Sequence, residues 1–230
     1  MTTRAARNIM RTLREHGDSE QAAQIARYLK TSDLEFLGVK LPGIHSAVKD
    51  QIKGLEPEEL EQTMSDLWQE EVYEFRRAAI DVMERYVKRG DPDTAIQTCS
   101  DWLDRGLDTW ALLDPLASNC LGQLLIRDWD NVETVLKRWQ SSDNFWRRRA
   151  TILPYLQLSL KRNYKRGYAE PILDALMPHL SDDEFFVAKA VGWVLRELSK
   201  REPQTVKDFL EKHRDEMQPL AVREGSKKLK

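Results

Sequence analysis

The stretch FFVAKAVGWVLRELSK (185–200) decides the class of fold. Its apolar residues recur at the i, i+3, i+4 and i+7 spacing that places them on one face of a helix. The same spacing occurs in FRRAAIDVMERYVKR (75–89) and WRRRATILPYLQLSL (146–160). Ser181 and Glu184 precede the first stretch with the spacing of a capping box at a helix start. Because strand-like alternation with Asn-Gly or Asp-Gly turns is missing, we predict an all-α chain.

These helices belong to an internal repeat, because FRRAAI (75–80), WRRRAT (146–151) and FVAKAV (186–191) align without gaps. Half of the spacing between the first two copies leads to a further copy in TWALLDPLASNCLGQLL (109–125). A step of about 35–40 residues is close to the period of two-helix HEAT-type repeats. We therefore expect one right-handed α-solenoid domain over residues 1–230, with a concave groove that carries charged and aromatic side chains. Its visible units are predicted between flanking terminal helices, at about 60–90, 95–127, 130–165 and 170–200.

The charge of the chain is unevenly distributed. The formal net charge is −2, so no global excess of positive charge points to a nucleic-acid partner. Between Lys137 and Tyr168, however, nine Lys and Arg residues are opposed by one acid, Asp143, which gives this segment a charge of +8. A patch of this kind attracts phosphates even on a nearly neutral protein. The alternative is a solvated helical face, which explains a basic run equally often.

Several classes of function lack their characteristic residues. No glycine-rich nucleotide loop, serine-hydrolase motif, HExxH or zinc-ligand spacing occurs, so we expect no metal and no cofactor. Cys99 and Cys120 are predicted to be buried thiols in a reducing compartment. With no apolar run of the length of a secretion signal or a membrane span, we expect a soluble cytoplasmic protein. The histidines are expected at the surface without a function: His16, His45, His179 and His213.

One acid and two bases share a position in the repeat. Asp114, Arg149 and Lys189 are equivalent to one another and to Ala78 of the first copy. Trp110 lies one helical turn before Asp114, so an aromatic face and a carboxylate border the same volume. An isolated pair of this kind is more often a core Trp and an N-terminal helix Asp. A carboxylate among phosphate-binding bases weakens that binding unless it stabilises positive charge on the substrate, and this is the role predicted for Asp114.

Arginines and aromatic residues complete the candidate site. Successive helical residues point about 100° apart, so at most two of Arg147, Arg148 and Arg149 share a face. We expect Arg149 in the groove and Arg148 at its rim, since arginine binds phosphate through two parallel hydrogen bonds. Trp193 and Tyr28 are further candidates, although such residues more often belong to a core. The glycine before Trp193 would permit close approach of a helix or ligand.

Five stretches then point to a family. They run in order from about residue 20 to residue 200: ARYLK with FLGV (26–30, 36–39), LW…EFRRAAIDVM (67–83), TW…D (109–114), SDNFWRRRA (142–150) and FFVAKAVGWVLRE (185–197). Together they resemble the AlkD family of bacterial DNA alkylation-repair glycosylases. SDNFW and KAVGWVLRE are the most specific of these motifs, because the first is unusual as simple helix sequence.

The resemblance implies a HEAT-like solenoid that removes cationic N3- or N7-alkylated purines, such as 3-methyladenine and 7-methylguanine, from duplex DNA in base excision repair. The family's catalytic residues match Trp110, Asp114 and Arg149, and its supporting aromatic residues match Tyr28 and Trp193. The resemblance also implies a monofunctional enzyme without lyase activity or cofactor, acting on a lesion that is not flipped out of the duplex. We further expect a monomer in the bacterial cytoplasm, associated with the nucleoid when bound to DNA, with Arg148 and Lys189 as additional DNA contacts.

Two departures from the family pattern leave an alternative open. Thr109 stands where AlkD-like proteins often have a second aromatic residue, and Pro115 follows the acid directly. The alternative is a noncatalytic HEAT-repeat module that binds damaged or branched DNA, although related proteins of that kind usually lose the acid. A protein-interaction solenoid would leave both the +8 segment and the Trp110–Asp114 pair unexplained.

Overall fold

The structure, a computed structural model, describes residues 2–229 and confirms an all-α chain. Within that range, the only β-type pairing is an isolated parallel bridge between Glu35 and Val72, and no helix has the length and apolar character needed to cross a membrane. The α-helices of the described residues are α1 (Arg4–Glu15), α2 (Ser19–Tyr28), α3 (Leu41–Lys49), α4 (Pro57–Trp68), α5 (Tyr73–Tyr86), α6 (Pro92–Asp104), α7 (Trp110–Pro115), α8 (Gly122–Arg127), α9 (Trp129–Trp139), α10 (Phe145–Ile152), α11 (Leu156–Ser159), α12 (Ala169–Leu176), α13 (Phe185–Leu198), α14 (Pro203–His213) and α15 (Pro219–Gly225).

The helices assemble into two compact units, one ending at Leu116 and the other beginning at Ala117. In the first unit, α1 packs its apolar face against α3, α4 and α5, and α4 packs along α5. Leu13, Met64 and Phe75 are among the buried side chains of this core. Each large apolar side chain contributes about 1.5–3 kcal/mol when it leaves water, so these contacts hold the first unit together.

The order of the helices follows the repeat seen in the sequence. Along the chain, α4 precedes α5, α6 precedes α7 and α8, α9 precedes α10 and α11, and α12 precedes α13. This succession of helix pairs is that of an α-solenoid. The grouping into one domain over residues 1–230, with units at about 60–90, 95–127, 130–165 and 170–200, stays a prediction.

A buried carboxylate fixes the segment that joins α2 to α3. Glu74, in the first turn of α5, accepts hydrogen bonds from the backbone N–H groups of Leu37 (2.9 Å), Gly38 (2.9 Å) and Val39 (3.2 Å). Burial raises the pKa of Glu74, and these three bonds oppose the rise. Gly38 has a φ of 85°, and a Cβ there would lie 2.0 Å from the carbonyl oxygen of Asp18, so only glycine fits. The segment is thereby held against the start of α5.

The helix that begins at Trp110 changes its winding after one and a half turns. α7 continues into a π-helical segment over Leu116–Leu121 and then into α8. Pro115 lacks an N–H and cannot bond the carbonyl of Ala111, which interrupts the regular α-helical ladder just before the wider turn. The proline that departs from the family pattern therefore stands at a π-helical turn, a feature that recurs at functional sites.

In the second unit, α13 packs against α10, α12 and α15. A Cβ at Gly192 would lie 2.5 Å from the Cβ of Glu224 and 2.9 Å from the carbonyl oxygen of Ala221. Both residues belong to α15. The prediction that this glycine permits close approach is confirmed, and the approaching group is a helix of the protein itself.

One detail of the predicted helix starts is wrong. α13 begins at Phe185 with Glu184 at its N-cap, so Ser181 and Glu184 do not form a capping box. Asp182 accepts a hydrogen bond from the backbone N–H of Glu184 at 3.1 Å. The carboxylate lies closer in sequence to the helix start than the serine does, and it satisfies the donor that the serine was expected to serve.

Candidate active site

The Trp110–Asp114 pair lines a cavity of about 560 Å³ in the first unit. Its lining is mostly apolar or aromatic, with three charged side chains. The residues are Ile25, Tyr28, Leu29, Val39, Lys40, Leu41, Pro42, Tyr73, Arg77, Trp110, Ala111, Asp114 and Pro115. Mostly apolar lining with a few converging polar groups is typical of a ligand-binding site.

The Trp110 side of the cavity is built by the start of α7. Thr109 is fully buried and caps this helix, its hydroxyl oxygen accepting from the backbone N–H of Ala111 at 3.4 Å. Trp110 and Asp114 are both half-buried. The threonine that stands in place of an aromatic residue therefore serves to begin the helix that carries the pair.

Tyr28 completes this wall from the end of α2. Its ring meets that of Trp110 edge-on, with the centroids 5.6 Å apart and an interplanar angle of 83°. The Tyr28 side chain is nevertheless exposed, at 71 %. A hydrogen bond of 2.9 Å from the backbone N–H of Asp33 to the carboxylate of Asp108 ties the loop after α2 to the loop before α7. The structure thus brings together three of the predicted residues, Tyr28, Trp110 and Asp114.

Another part of the cavity lining comes from the segment that Glu74 anchors and from the start of α5. Val39, the last of the three residues whose N–H groups Glu74 anchors, and Lys40 after it line the cavity. Tyr73 lies at the first position of α5, and burial raises its pKa to about 12, against the opposing effect of nearby Arg77. The Tyr73 phenol is therefore protonated at neutral pH and can donate a hydrogen bond.

Arg77 is a cavity residue that the sequence reasoning missed. It is buried on α5, and its Nη1 donates to the carboxylate of Asp81 one turn later. The other oxygen of Asp81 lies 2.6 Å from Nδ1 of His45 on α3. Arg77 lies in the EFRRAAIDVM stretch, next to Ala78. The repeat alignment makes Ala78, and not Arg77, the equivalent of Asp114, so Arg77 was not among the predicted site residues. Ala78 is fully buried and lies outside the cavity lining.

Arg149, in the second unit, is almost wholly buried at the fifth position of α10. Its Nη1 donates to the backbone carbonyl of Phe186, and its guanidinium carbon lies 6.0 Å from the centre of that ring. The four equivalent repeat positions therefore differ in exposure: Ala78 and Arg149 are buried, Asp114 is half-buried and Lys189 is exposed. Contact of Arg149 with a phosphate stays a prediction.

Arg148 is engaged within the protein. Its guanidinium binds Asp182 through Nε at 2.7 Å and Nη2 at 3.3 Å. Nη1 donates to the backbone carbonyls of Ser142 at 2.8 Å and Asp143 at 3.2 Å. Burial, the largest single effect, raises the pKa of Asp182, but the hydrogen bonds from Arg148 and from the Glu184 backbone, together with the charge of Arg148, lower the pKa overall. This engagement favours a role in joining the start of α10 to the loop before α13, and DNA contact by Arg148 stays a prediction.

The remaining candidates, Lys189 and Trp193, lie on α13. Lys189 is exposed, and its Nζ lies 5.3 Å from the centre of the exposed Phe185 ring, one turn earlier. Trp193 is half-buried. Lys189 therefore offers a charge to a partner in solution, whereas Trp193 offers only part of its ring.

Two of the histidines correct the surface prediction. His179 is 1 % exposed and His213 is 8 % exposed. The Nε2 of His179 lies 2.8 Å from the Thr151 hydroxyl, and Nδ1 is buried without a hydrogen-bond partner among the described residues. Burial lowers the pKa of His179 to about 4.

Cys99 and Cys120 are free and buried, which confirms their predicted burial, and their reducing compartment stays a prediction. Burial raises the pKa of Cys99 to about 12, so its thiol is inert as a nucleophile.

Within residues 2–229, no group of three or more His, Cys, Asp or Glu side chains is arranged to hold a metal ion. The cavity itself is lined by five ionisable side chains, those of Asp114, Arg77, Lys40, Tyr28 and Tyr73.

Comparisons with known proteins address the chain as a whole. A search of curated proteins gives no match. The chain is similar to the structure of a predicted DNA alkylation repair enzyme from Enterococcus faecalis, with 26% identity, a TM-score of 0.79 and coverage of 93% of this chain and 96% of that one. It shares its fold with AlkD2 from Streptococcus mutans, at 20% identity, a TM-score of 0.64 and coverage of 91% and 99%. The family model described as DNA alkylation repair enzyme matches residues 9–229, and the chain belongs to this family.

Proposed function

We propose that the protein is a monofunctional DNA glycosylase, which hydrolyses the N-glycosidic bond of cationic N3- or N7-alkylated purines in duplex DNA. The observation that carries the proposal is the cavity in which Asp114, Trp110 and Tyr28 meet, in a chain of the DNA alkylation repair family. 3-Methyladenine and 7-methylguanine are the proposed leaving groups. Neither a metal nor an organic cofactor is needed for this reaction.

The chemistry follows from charge. An alkylated purine is already cationic, so it departs with the bonding electron pair as a neutral base and requires no general acid. Positive charge then develops on the deoxyribose. A carboxylate about 4 Å away stabilises such a charge by about 4 kcal/mol at an effective dielectric constant near 20, which corresponds to roughly a thousandfold in rate. Asp114 is the only acidic side chain among the residues lining the cavity, and we assign it this role and that of orienting the attacking water.

The aromatic residues act on the same charge. Trp110 is half-buried and Tyr28 holds it edge-on, so part of the indole remains available to the sugar. An indole face attracts a neighbouring cation by about 0.5–2 kcal/mol. Because this arrangement addresses the sugar and not the base, we propose excision from a lesion that remains in the duplex. Arg149, Arg148, Lys189 and Trp193 are proposed to bind the DNA backbone from the second unit.

The decisive experiment measures base release from methylated duplex DNA. We expect wild-type protein to release 7-methylguanine or 3-methyladenine, and Asp114→Asn to release it about a thousandfold more slowly, because a neutral amide cannot stabilise the sugar cation. DNA binding should persist in the variant, since the substitution removes a negative charge. Asp101→Asn, an exposed acid on α6 of the same unit, is the matched control and should retain full activity.

The same assay separates the alternative function. Binding of damaged or branched DNA by a wild-type protein that releases neither base would identify a noncatalytic module. Equal rates for wild type and Asp114→Asn would instead remove Asp114 from the mechanism.

A further inference from the structure

Arg77 is a buried cation beside the proposed reaction site. It lines the cavity together with Asp114 and Trp110, although its side chain is only 7 % exposed. A guanidinium has five N–H donors. Within residues 2–229, the one hydrogen bond of this guanidinium is from Nη1 to Asp81. None of the remaining donors is a fully enclosed atom without a partner among the described residues, and Arg77 lines the cavity, so these donors are available to an acceptor that enters it.

The Arg77 guanidinium is held by Asp81, a residue outside the cavity lining. Asp81 is itself largely buried, at 10 % side-chain exposure, and binds Nη1 of Arg77 with one oxygen and His45 with the other. Asp81 does not line the cavity. The acid thus fixes the direction of Arg77 while leaving the cavity side of the arginine for a ligand. A side chain that is positioned in advance loses less conformational freedom on binding.

The charges around the cavity define the ligand. Arg77 and Lys40, which is exposed, are the two cations of the lining, and Asp114 is the anion. A duplex offers an anionic hydrogen-bond acceptor next to every deoxyribose, namely the phosphodiester group. Arginine binds phosphate oxygens with charge-assisted hydrogen bonds, the strongest class available to it. The neutralising pair with Asp81 also keeps Arg77 from cancelling the effect of Asp114 on the sugar.

We propose that Arg77 binds a phosphodiester oxygen adjacent to the lesion and so sets the register of the sugar against Asp114. The inference rests on the proposed function, because it takes duplex DNA as the ligand of this cavity. Asp81 is the residue that positions Arg77. The phosphate contact would place the reacting carbon, since a backbone contact fixes the register of a protein on DNA without reading its sequence.

The test replaces single phosphates instead of relying on a protein variant alone. A duplex with a tetrahydrofuran abasic-site analogue is prepared in versions that carry one uncharged methylphosphonate at each position flanking the analogue. Wild-type protein and Arg77→Gln are titrated with each duplex. We expect one position at which the methylphosphonate weakens wild-type binding by about tenfold and leaves Arg77→Gln unaffected. The methylphosphonate and the Arg77→Gln substitution then remove the same contact, one from the DNA and one from the protein, so their effects on the binding free energy do not add.

Two further variants separate the contact from general charge and from folding. Arg85→Gln removes an exposed arginine of the same helix, α5, and should respond to every methylphosphonate as wild type does. Arg77→Lys retains the charge and should bind with intermediate affinity. The slope of log K against log salt should become shallower by about one for Arg77→Gln and stay unchanged for Arg85→Gln. Arg77→Lys serves in the same comparison if Arg77→Gln does not fold, and it should lose less affinity than wild type at the one position that contacts residue 77.

Other outcomes overturn the inference. If no methylphosphonate position weakens wild-type binding, or if wild type and Arg77→Gln respond alike at every position, Arg77 is a structural partner of Asp81 only. These binding measurements require no base release. A catalytically silent protein would therefore refute the glycosylase proposal and leave the Arg77 contact standing, whereas an active protein with no Arg77-dependent position would do the reverse.

Discussion

At the scale of single residues, His179 shows how burial sets a protonation state. The imidazole is enclosed in the 3₁₀ turn that follows α12 and makes one hydrogen bond, to Thr151, and nearby Arg148 disfavours its charged form further. Asp182 acts in the opposite direction, but burial dominates and the pKa falls to about 4. The histidine is therefore neutral in the folded protein at any pH above that value.

This neutrality predicts a pH dependence of stability. The folded-state pKa of about 4 lies below the ordinary value of 6.5, so the unfolded chain binds the extra proton first. The contribution is fully present above pH 6.5 and is lost as the pH falls toward 4. We expect the free energy of unfolding to decrease by about 3 kcal/mol across that window from this residue. Urea unfolding of wild type, His179→Gln and the exposed-histidine control His16→Gln at pH 4.5 and 7 measures it.

Only His179→Gln should flatten that dependence. An unchanged pH profile in His179→Gln would mean that the histidine accepts a proton in the folded state without cost.

At the scale of helices, the contact between α13 and α15 depends on a missing side chain. Gly192 gives up helix propensity, worth about 1 kcal/mol relative to alanine, so that α15 can approach closely. The neighbours that a Cβ would meet include backbone atoms of Ala221, which cannot rotate away. The glycine is consequently a packing residue, next to a tryptophan predicted to contact DNA.

We therefore predict that Gly192→Ala destabilises the protein by about 1–2 kcal/mol, because overpacking outweighs the gain in helix propensity. Gly225→Ala is the matched control, since its nearest neighbour would be the Leu195 Cβ at a milder 3.1 Å. It should change the free energy of unfolding by less. Denaturant unfolding measures both variants, and a Gly192→Ala protein as stable as wild type would contradict the close packing.

At the scale of the whole molecule, DNA binding must arise from local charge. The chain carries a net charge of −2, while the segment from Lys137 to Tyr168 carries +8. Lys161 and Arg166 are exposed in the loop between α11 and α12. Every phosphate that such a residue neutralises releases a counterion and adds about 0.9 to the slope of log K against log salt.

We expect Lys161→Gln/Arg166→Gln to bind duplex DNA more weakly than wild type, with a salt slope shallower by about 1–2. Lys207→Gln/Lys212→Gln removes the same charge from exposed positions on α14 and should leave the slope unchanged. Fluorescence anisotropy between about 50 and 200 mM salt provides the measurement. Equal slopes for the two double variants would show that the +8 segment is a solvated face without a DNA contact.

The sequence by itself determined the all-α class, the succession of helix pairs and the pairing of Trp110 with Asp114, because each depends on spacing along one helix or on a repeat period. The family resemblance rested on local motifs and was confirmed by a match over residues 9–229. Gly192 was also predictable, since a glycine within an apolar helical pattern indicates close approach.

Only the tertiary structure decided which side chains share a cavity and which are buried. Asp81 joins Arg77 to His45 across two helices, and no spacing within one helix reveals that His45 belongs to the set. Arg149 and His179 look like surface residues in sequence because both are polar, yet each is enclosed by groups distant in the chain. Burial depends on contacts between separate elements, and a one-dimensional pattern records only the neighbours within each element.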